Sequence, residues 1–339
     1  MFSHPLALLG YTEDRATEVA ALGDPAFEAG RVVRIDRGLT TVLAADGEHR
    51  LPTRSSLAPA VGDWVAFRAG EGLAEILPRR TELARRAGAR RDERQVAAAN
   101  VDRVLIVRAL DVAVSLTRIE SLLAIAWESG AEPLVVLTKA DRRDDPEAAR
   151  AQVQAVAYGV PVLCVSVLDG TGIDELRAAV SGRTVVLLGE SGAGKSTLTN
   201  LLAGEQVLET GEVRGDGQGR HTTTHRELVP LPHGGAIIDT PGVREAGYWG
   251  DGTGIALAFG DLEELAASCK FADCGHDSEP GCAVRAAVSA GSLEPERIDA
   301  WRRARREQAW LERRLDKRAA SEQRSRWIRQ TRSFRRDTW

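Results

Sequence analysis

Residues 189–196 read Gly-Glu-Ser-Gly-Ala-Gly-Lys-Ser, a complete phosphate-binding loop, and its companion motifs stand in rotated order. Thr138-Lys139-Ala140-Asp141, a guanine-reading pattern, comes before the loop. Asp239-Thr240-Pro241-Gly242, a γ-phosphate sensor, comes after it. Guanine-nucleotide hydrolases ordinarily run loop, switch, DxxG and only then [NT]KxD. Putting the last element first is circular permutation. It narrows the fold sharply, because ligands of open α/β sheets sit at the carboxyl ends of the strands and all these motifs must meet there.

The surrounding pattern agrees. Residues 103–107, 134–137, 160–165 and 184–188 are short, nearly continuous apolar runs, and segments 116–127, 146–158 and 173–180 between them are helix-like. Buried strands alternating with helices mean a mostly parallel sheet covered on both faces. Upstream, between about Gly30 and Pro78, β-rich runs (31–35, 40–44, 63–67) alternate with turns, and Asp46-Gly47 is a hairpin signal. A small barrel is expected there, OB-like in form, with an SH3-like barrel as the alternative. An Arg-rich link from Arg79 to Arg94 follows, and beyond about Phe259 the chain turns helical. The expected fold is multidomain α/β. An OB-like β-barrel with an N-terminal extension takes residues 1–80, a circularly permuted P-loop GTPase domain 81–258, and a helical zinc-binding domain with a basic tail 259–339. Glu205–Gly219, rich in glycine and charge, is the expected mobile loop.

The P-loop directly follows an apolar strand and opens a helix, the context such a loop requires. Gly189, Glu190, Ser191, Gly192, Ala193 and Gly194 let backbone N–H groups turn toward a β-phosphate at a helix N-terminus. Lys195 is expected to reach the β/γ-phosphates, Ser196 to ligate Mg²⁺, and Thr197 to complete the cradle. Asp239 ends another apolar strand and suits Mg²⁺, with the Gly242 N–H suited to the γ-phosphate. Asp141 can accept N1–H and N2–H₂ of guanine, which adenine does not offer; Lys139 would lie over the base, beside Thr138. Ser166 and Val167, after the next strand, fit the element that backs the guanine. In Gly219-Arg220-His221-Thr222-Thr223-Thr224 the favoured Mg²⁺ threonine is Thr223, with its two neighbours open alternatives. Val243 stands where a water-orienting Gln is common. His221 is the nearest candidate to place the water, and an ordinary switch histidine is the other reading. GTP and Mg²⁺ are therefore the expected ligands, with Lys195, Thr223 and His221 as candidate catalytic residues.

Three of the four cysteines, Cys269, Cys274 and Cys282, cluster with His276 within 14 residues. Four protein ligands leave no open position, so one structural Zn²⁺ is expected. Cys164 reads as a small core residue. No apolar run approaches the roughly 18–20 residues of a membrane helix, and the Met1–Leu6 stretch lacks a secretory pattern. A cytoplasmic monomer is expected. Residues 301–339 hold 14 Lys/Arg against 5 Asp/Glu, a local +9 that leaves −13 on the rest of a chain of net charge −4. Trp301, Trp310 and Trp327 interleave with these arginines. An RNA-binding arm and an amphipathic helix packed on the metal domain are the two readings.

Taken together, Val61-Gly62-Asp63-Trp64-Val65, the permuted order, Gly189–Thr197, His221–Thr224, Asp239–Glu245 and Glu279-Pro280-Gly281-Cys282-Ala283-Val284 resemble the ribosome small subunit-dependent GTPase A family. The resemblance spans nearly the whole chain. It implies an OB-fold, a permuted GTPase and a zinc domain clamped on the 30S subunit and its 16S rRNA during late maturation. It also implies subunit-stimulated GTP hydrolysis, with the histidine at position 221 assisting.

Overall fold

The computed structural model describes residues 5–53, 57–86, 94–208, 227–239 and 250–336. A 3-10 turn (Pro5–Leu9) and helix α1 (Glu13–Ala20) lead into β1 (Glu28–Asp36), β2 (Leu39–Ala44), β3 (Gly47–Pro52), β4 (Trp64–Arg68) and β5 (Gly72–Ile76). One edge of β1 carries β2 and then β3; the other pairs with β4, which carries β5. The inward side chains of this antiparallel layer, Val32, Val42, Leu51, Val65, Phe67 and Leu73, form their own buried cluster. The hairpin between β2 and β3 falls one residue before the Asp46-Gly47 signal: Ala45 and Asp46 form the turn, and Gly47, at φ 135°, opens β3 opposite Ala44.

The Arg-rich link differs from expectation. It contains an antiparallel ribbon, β6 (Glu82–Arg86) and β7 (Arg94–Ala99). Leu83 and Ala97–Ala99 are buried, so hydrophobic contact ties this segment into the core despite its charge.

The parallel sheet comprises β8 (Arg103–Ala109), β9 (Glu132–Thr138), β10 (Val162–Cys164) and β11 (Arg183–Leu188), then β12 (Glu227–Pro230) and β13 (Gly235–Asp239). Strand order is β10-β9-β8-β11-β13-β12, with only β12 antiparallel to its neighbour in this set. Permutation is visible here: β11, which feeds the P-loop, lies between β8, formed earlier in the chain, and β13, formed later. A single register pair, Arg34 with Glu227, continues the sheet from β12 into β1. Helices α2 (Leu116–Glu128), α3 (Pro146–Val156), α4 (Ile173–Val180) and α5 (Lys195–Ala203) connect the strands. Ser115 and Asp145 cap α2 and α3 by accepting N–H bonds from Arg118 and Ala148, and Pro146 supplies the first turn of α3.

Helices α6 (Thr253–Ala258), α7 (Gly260–Ala267), α8 (Ala283–Ser289) and α9 (Pro295–Arg336) complete the chain. They are fastened to α2 by polar contacts as well as apolar ones. Glu128 accepts N–H bonds from Asp251 and Gly254, each 2.7 Å. A Cβ at Gly254 would stand 2.2 Å from the Ala124 carbonyl oxygen, so only glycine lets α6 approach this closely. The buried guanidinium of Arg297 pairs with Glu120 and, at 2.6 Å, with Asp261, and also reaches the Val156 and Ala258 carbonyls. Removing one partner from such a buried network costs about 3–5 kcal/mol. One hydrophobic cluster runs from Leu6 through the sheet to Trp301, so the three regions share a core. Among the described residues no helix is long and apolar enough to cross a membrane.

Candidate functional site

The carboxyl ends of β8, β9, β10, β11 and β13 all lie at one edge of the sheet, because these strands are mutually parallel. That edge gathers Thr138–Asp141, Ser166–Val167, the P-loop and Asp239. Register alone makes neighbours of residues far apart in sequence, as with Ile106 of β8 and Leu188 of β11.

The P-loop leaves β11 through Gly189, whose φ is 150° and whose added Cβ would lie 2.2 Å from the Val107 carbonyl oxygen. Gly192 and Gly194 also adopt positive φ, at 78° and 88°. The loop therefore depends on glycine for both handedness and clearance. Lys195 opens α5 and turns its ammonium back over the loop, donating to the Gly189 carbonyl at 2.9 Å and to that of Glu190. Ser196 and Thr197 occupy the first turn of the same helix. Glu190, in turn, pairs at 2.6 Å with the buried Arg108 near the end of β8.

Thr138 is buried, and its hydroxyl donates to the Ala193 carbonyl at 2.7 Å, with the Arg108 carbonyl 3.3 Å away. Its polar atom faces the P-loop main chain, so this residue braces the Thr138–Asp141 turn against the P-loop. Lys139 follows in the left-handed region (φ 56°, ψ 40°), and its ammonium meets Asp111 at 2.7 Å. Asp141 is exposed and accepts a 2.7 Å hydrogen bond from the Ser166 hydroxyl. Ser166, fully buried, also accepts the N–H groups of Leu168 and Asp169 at 3.2 and 3.4 Å. A single short hydroxyl thus orients the carboxylate and shapes the loop beside it. Val167 and Leu168 leave their side chains exposed next to this hub. Asp239 ends β13 half-buried, opposite Glu227 of β12. His221, Thr222, Thr223, Thr224, Thr240, Pro241, Gly242 and Val243 lie outside the described residues.

The second constellation lies between α7, α8 and the start of α9. Ligand atoms of Cys269, Cys274, His276 and Cys282 all fall within 4.8 Å of one another. Such a Cys₃His set suits one four-coordinate metal ion. Cys282 caps α8 with its sulfur accepting the Arg285 N–H, and the Cys269 sulfur accepts the Ala283 N–H, both at 3.4 Å. At Cys269 desolvation acts upward, but N–H donation from Ala283 and Val284, with hydrogen bonds from the Cys282 and Cys274 thiols, brings the thiol below its ordinary value. Desolvation pushes the Cys274 thiol up to about 11. The connecting loop is organised by Glu279, which accepts N–H bonds from Gly275, Asp277 and Ser278; with its own N–H, these hold its carboxyl down to about 2. Trp301 is buried against the His276 ring, 5.2 Å between centroids, and donates to Glu263 at 2.9 Å. For this tryptophan the packing reading holds. Trp310 is 37% exposed beneath the Arg314 guanidinium. Cys164 is only half-buried at the end of β10.

Asp111 and Arg108 are not legible in the sequence: neither sits in a recognisable motif, and each acts through a partner that the fold supplies. Glu279 stands in the Glu279–Val284 motif, but its role in holding the loop appears only in the structure.

A model of the RsgA GTPase family matches residues 76–249. The small ribosomal subunit biogenesis GTPase RsgA of Streptomyces coelicolor is 46% identical over 331 residues, covering 94% of this chain and 90% of that protein. Its namesake in Opitutus terrae is 43% identical, covering 95% of each. Among solved structures, YloQ, a circularly permuted GTPase, aligns with TM-score 0.60 at 26% identity over 84% of this chain and 95% of its own. YjeQ from Thermotoga maritima shares the fold, with TM-score 0.62 at 24% identity over 84% of this chain and 99% of its own. The chain belongs to the RsgA family of permuted P-loop GTPases.

Proposed function

We propose that this family member binds GTP with Mg²⁺ at the carboxyl edge of its sheet and hydrolyses it on the small (30S) ribosomal subunit, in late maturation of that particle. The observation that carries this reading is the convergence of the P-loop, Asp141 with its Ser166 hub, and Asp239 at one sheet edge despite the rotated motif order. Asp141 selects guanine through its N1–H and N2–H₂ groups, and Lys139 covers the base. Gly189 to Thr197 hold the phosphates. Ser196, Asp239 and Thr223 hold Mg²⁺, which when bound neutralises charge on the β- and γ-phosphates. The Gly242 N–H contacts the γ-phosphate and His221 places the attacking water.

The Cys/His cluster holds one structural Zn²⁺. The Cys269–Cys282 sulfurs are 3.9 Å apart, and the His276 Nδ1 lies 3.5 and 3.6 Å from them. A tetrahedral zinc with ordinary bond lengths sets these edges at about 3.8 and 3.5 Å. The domain division is 1–80, 81–258 and 259–339, with the N-terminal β layer an OB-like barrel. The basic arm of α9 docks on 16S rRNA phosphates, supported by its local charge of +9 after residue 300.

GTP turnover measured with added 30S subunits, 50S subunits and free RNA tests the reading. Stimulation confined to 30S is the expected result. Equal stimulation by 50S or by free RNA would assign another partner, and no stimulation would leave a nucleotide-gated RNA-binding module.

A further inference from the structure

We infer that Asp111 is a positioning residue for guanine-nucleotide binding: it fixes the ammonium of Lys139 so that the lysine stem lies along the base and stays clear of Asp141. This inference rests on the reading that Lys139 covers the guanine.

Asp111 stands two residues beyond the end of β8, and Lys139 one residue beyond the end of β9. The two strands are adjacent and parallel, with Ala109 in register with Thr138. The backbone is pinned on both sides of the pair. The Leu110 N–H donates to the Thr138 carbonyl at 2.9 Å, and the Ala140 N–H to the Val165 carbonyl at 3.2 Å. Asp111 therefore meets Lys139 from a rigid platform. The 2.7 Å contact joins side chains 24% and 33% exposed at the rim of the site, so it is the fixed backbone on both sides, more than exclusion of solvent, that holds the pair. Arg142 approaches the same carboxylate oxygen only to 3.9 Å and is 66% exposed, which makes it a bystander.

The chemistry explains why a lysine here needs a keeper. Lys139 is separated from Asp141 by one residue, and a four-carbon stem can reach a carboxylate at that spacing. An ammonium resting on Asp141 would occupy the acceptor that the base must use. It would also take the stem off the base face. Lys139 already holds a left-handed backbone, which is unfavourable for a residue with a Cβ. Its direction is thus imposed by its surroundings, and Asp111 is the group that receives its charged end.

The test is a double-mutant cycle in the full-length protein, read by affinity for a fluorescent GDP analogue and by the KM and kcat of GTP hydrolysis. Asp111→Asn, nearly the same shape without the charge, should weaken nucleotide binding about tenfold, within the coupling range of contacting pairs. The loss should fall on KM more than on kcat. Asp111→Glu should recover most of it. In a Lys139→Ala background, Asp111→Asn should change affinity less than about twofold. Equal losses from Asp111→Asn in both backgrounds would overturn the proposal, as would no loss in the wild-type background. If Lys139→Ala itself leaves affinity unchanged, it is the base-covering role of Lys139 that fails. Arg142→Ala, the control, should have little effect.

Discussion

The guanine-reading corner and the Cys/His cluster are both short loops hung on one polar hub, yet they are built for opposite purposes. At the corner, the hub is the buried Ser166 hydroxyl, which donates to Asp141, and the neighbouring Lys139 meets Asp111; both are exchangeable contacts. At the cluster, the hub is the half-buried Glu279 carboxylate, and the four ligand atoms converge on one another within 4.8 Å. An open site keeps its charged groups oriented by neighbours that a ligand can share or displace. A closed site aims its donors at a common centre, where only an ion satisfies all of them. The difference teaches that the two sites are set apart by where their donors point. The Ser166 hydroxyl aims one carboxylate outward, whereas Glu279 ties down the loop whose Cys/His ligand atoms point at one another.

The largest test of this contrast is on the closed side. Structural zinc supplies about 10–16 kcal/mol of folding free energy in small domains, so Cys274→Ala should release the metal and expose α7 and α8 to hydrogen exchange. Retention of stoichiometric metal and native protection would mean that three ligands suffice and the cluster is less closed than its geometry states.

The clamp joining the two regions gives the next effect. Burial raises the Glu120 carboxyl to about 7 from an ordinary 4.5, with Arg297 pulling the other way. Its folded-state value is raised, so the protonated form adds stability that is complete below about pH 4.5 and is lost as pH rises through 7. Relative to Glu120→Gln, wild-type stability should therefore fall by about 3 kcal/mol across that window. Melting curves of both proteins from pH 4.5 to 8 check this; a constant difference, or one that rises with pH, contradicts it.

On the open side, Asp141→Asn replaces an acceptor with a donor. GTP affinity should drop about 10²-fold, matching an unpaired polar group at the base edge, and xanthosine triphosphate should become the better ligand. Unaltered GTP binding would remove Asp141 from guanine selection. Ser166→Ala should cost less, about tenfold in nucleotide affinity, because the carboxylate remains but loses the donor that aims it. If Ser166→Ala and Asp141→Asn prove equally damaging, the hydroxyl does more than orient.

Local motifs were legible because their chemistry is local. The P-loop glycines, the DxxG aspartate and the Cys/His spacing each encode a backbone turn or a ligand set within a dozen or so residues. Apolar runs likewise marked β8, β9 and β11, and the α4 boundaries Ile173–Val180 follow from their pattern. The Arg79–Arg94 stretch reads as a polar link because its charges outnumber Leu83, whose partner Ala98 lies beyond it in the chain. Thr138 was legible as part of a motif but not as a brace, since its partner Ala193 is 55 residues away.

Sequence alone determined the permuted order, the class of sheet, the nucleotide-binding residues as candidates and the metal-ligand set. Tertiary structure decided which polar groups meet: Asp111 with Lys139, Arg108 with Glu190, and Arg297 with Glu120 across 177 residues. The reason is physical. A turn or a ligand spacing is imposed by covalent geometry over a few residues, whereas an ion pair between distant segments exists only after strand register and helix packing have brought the two charges together.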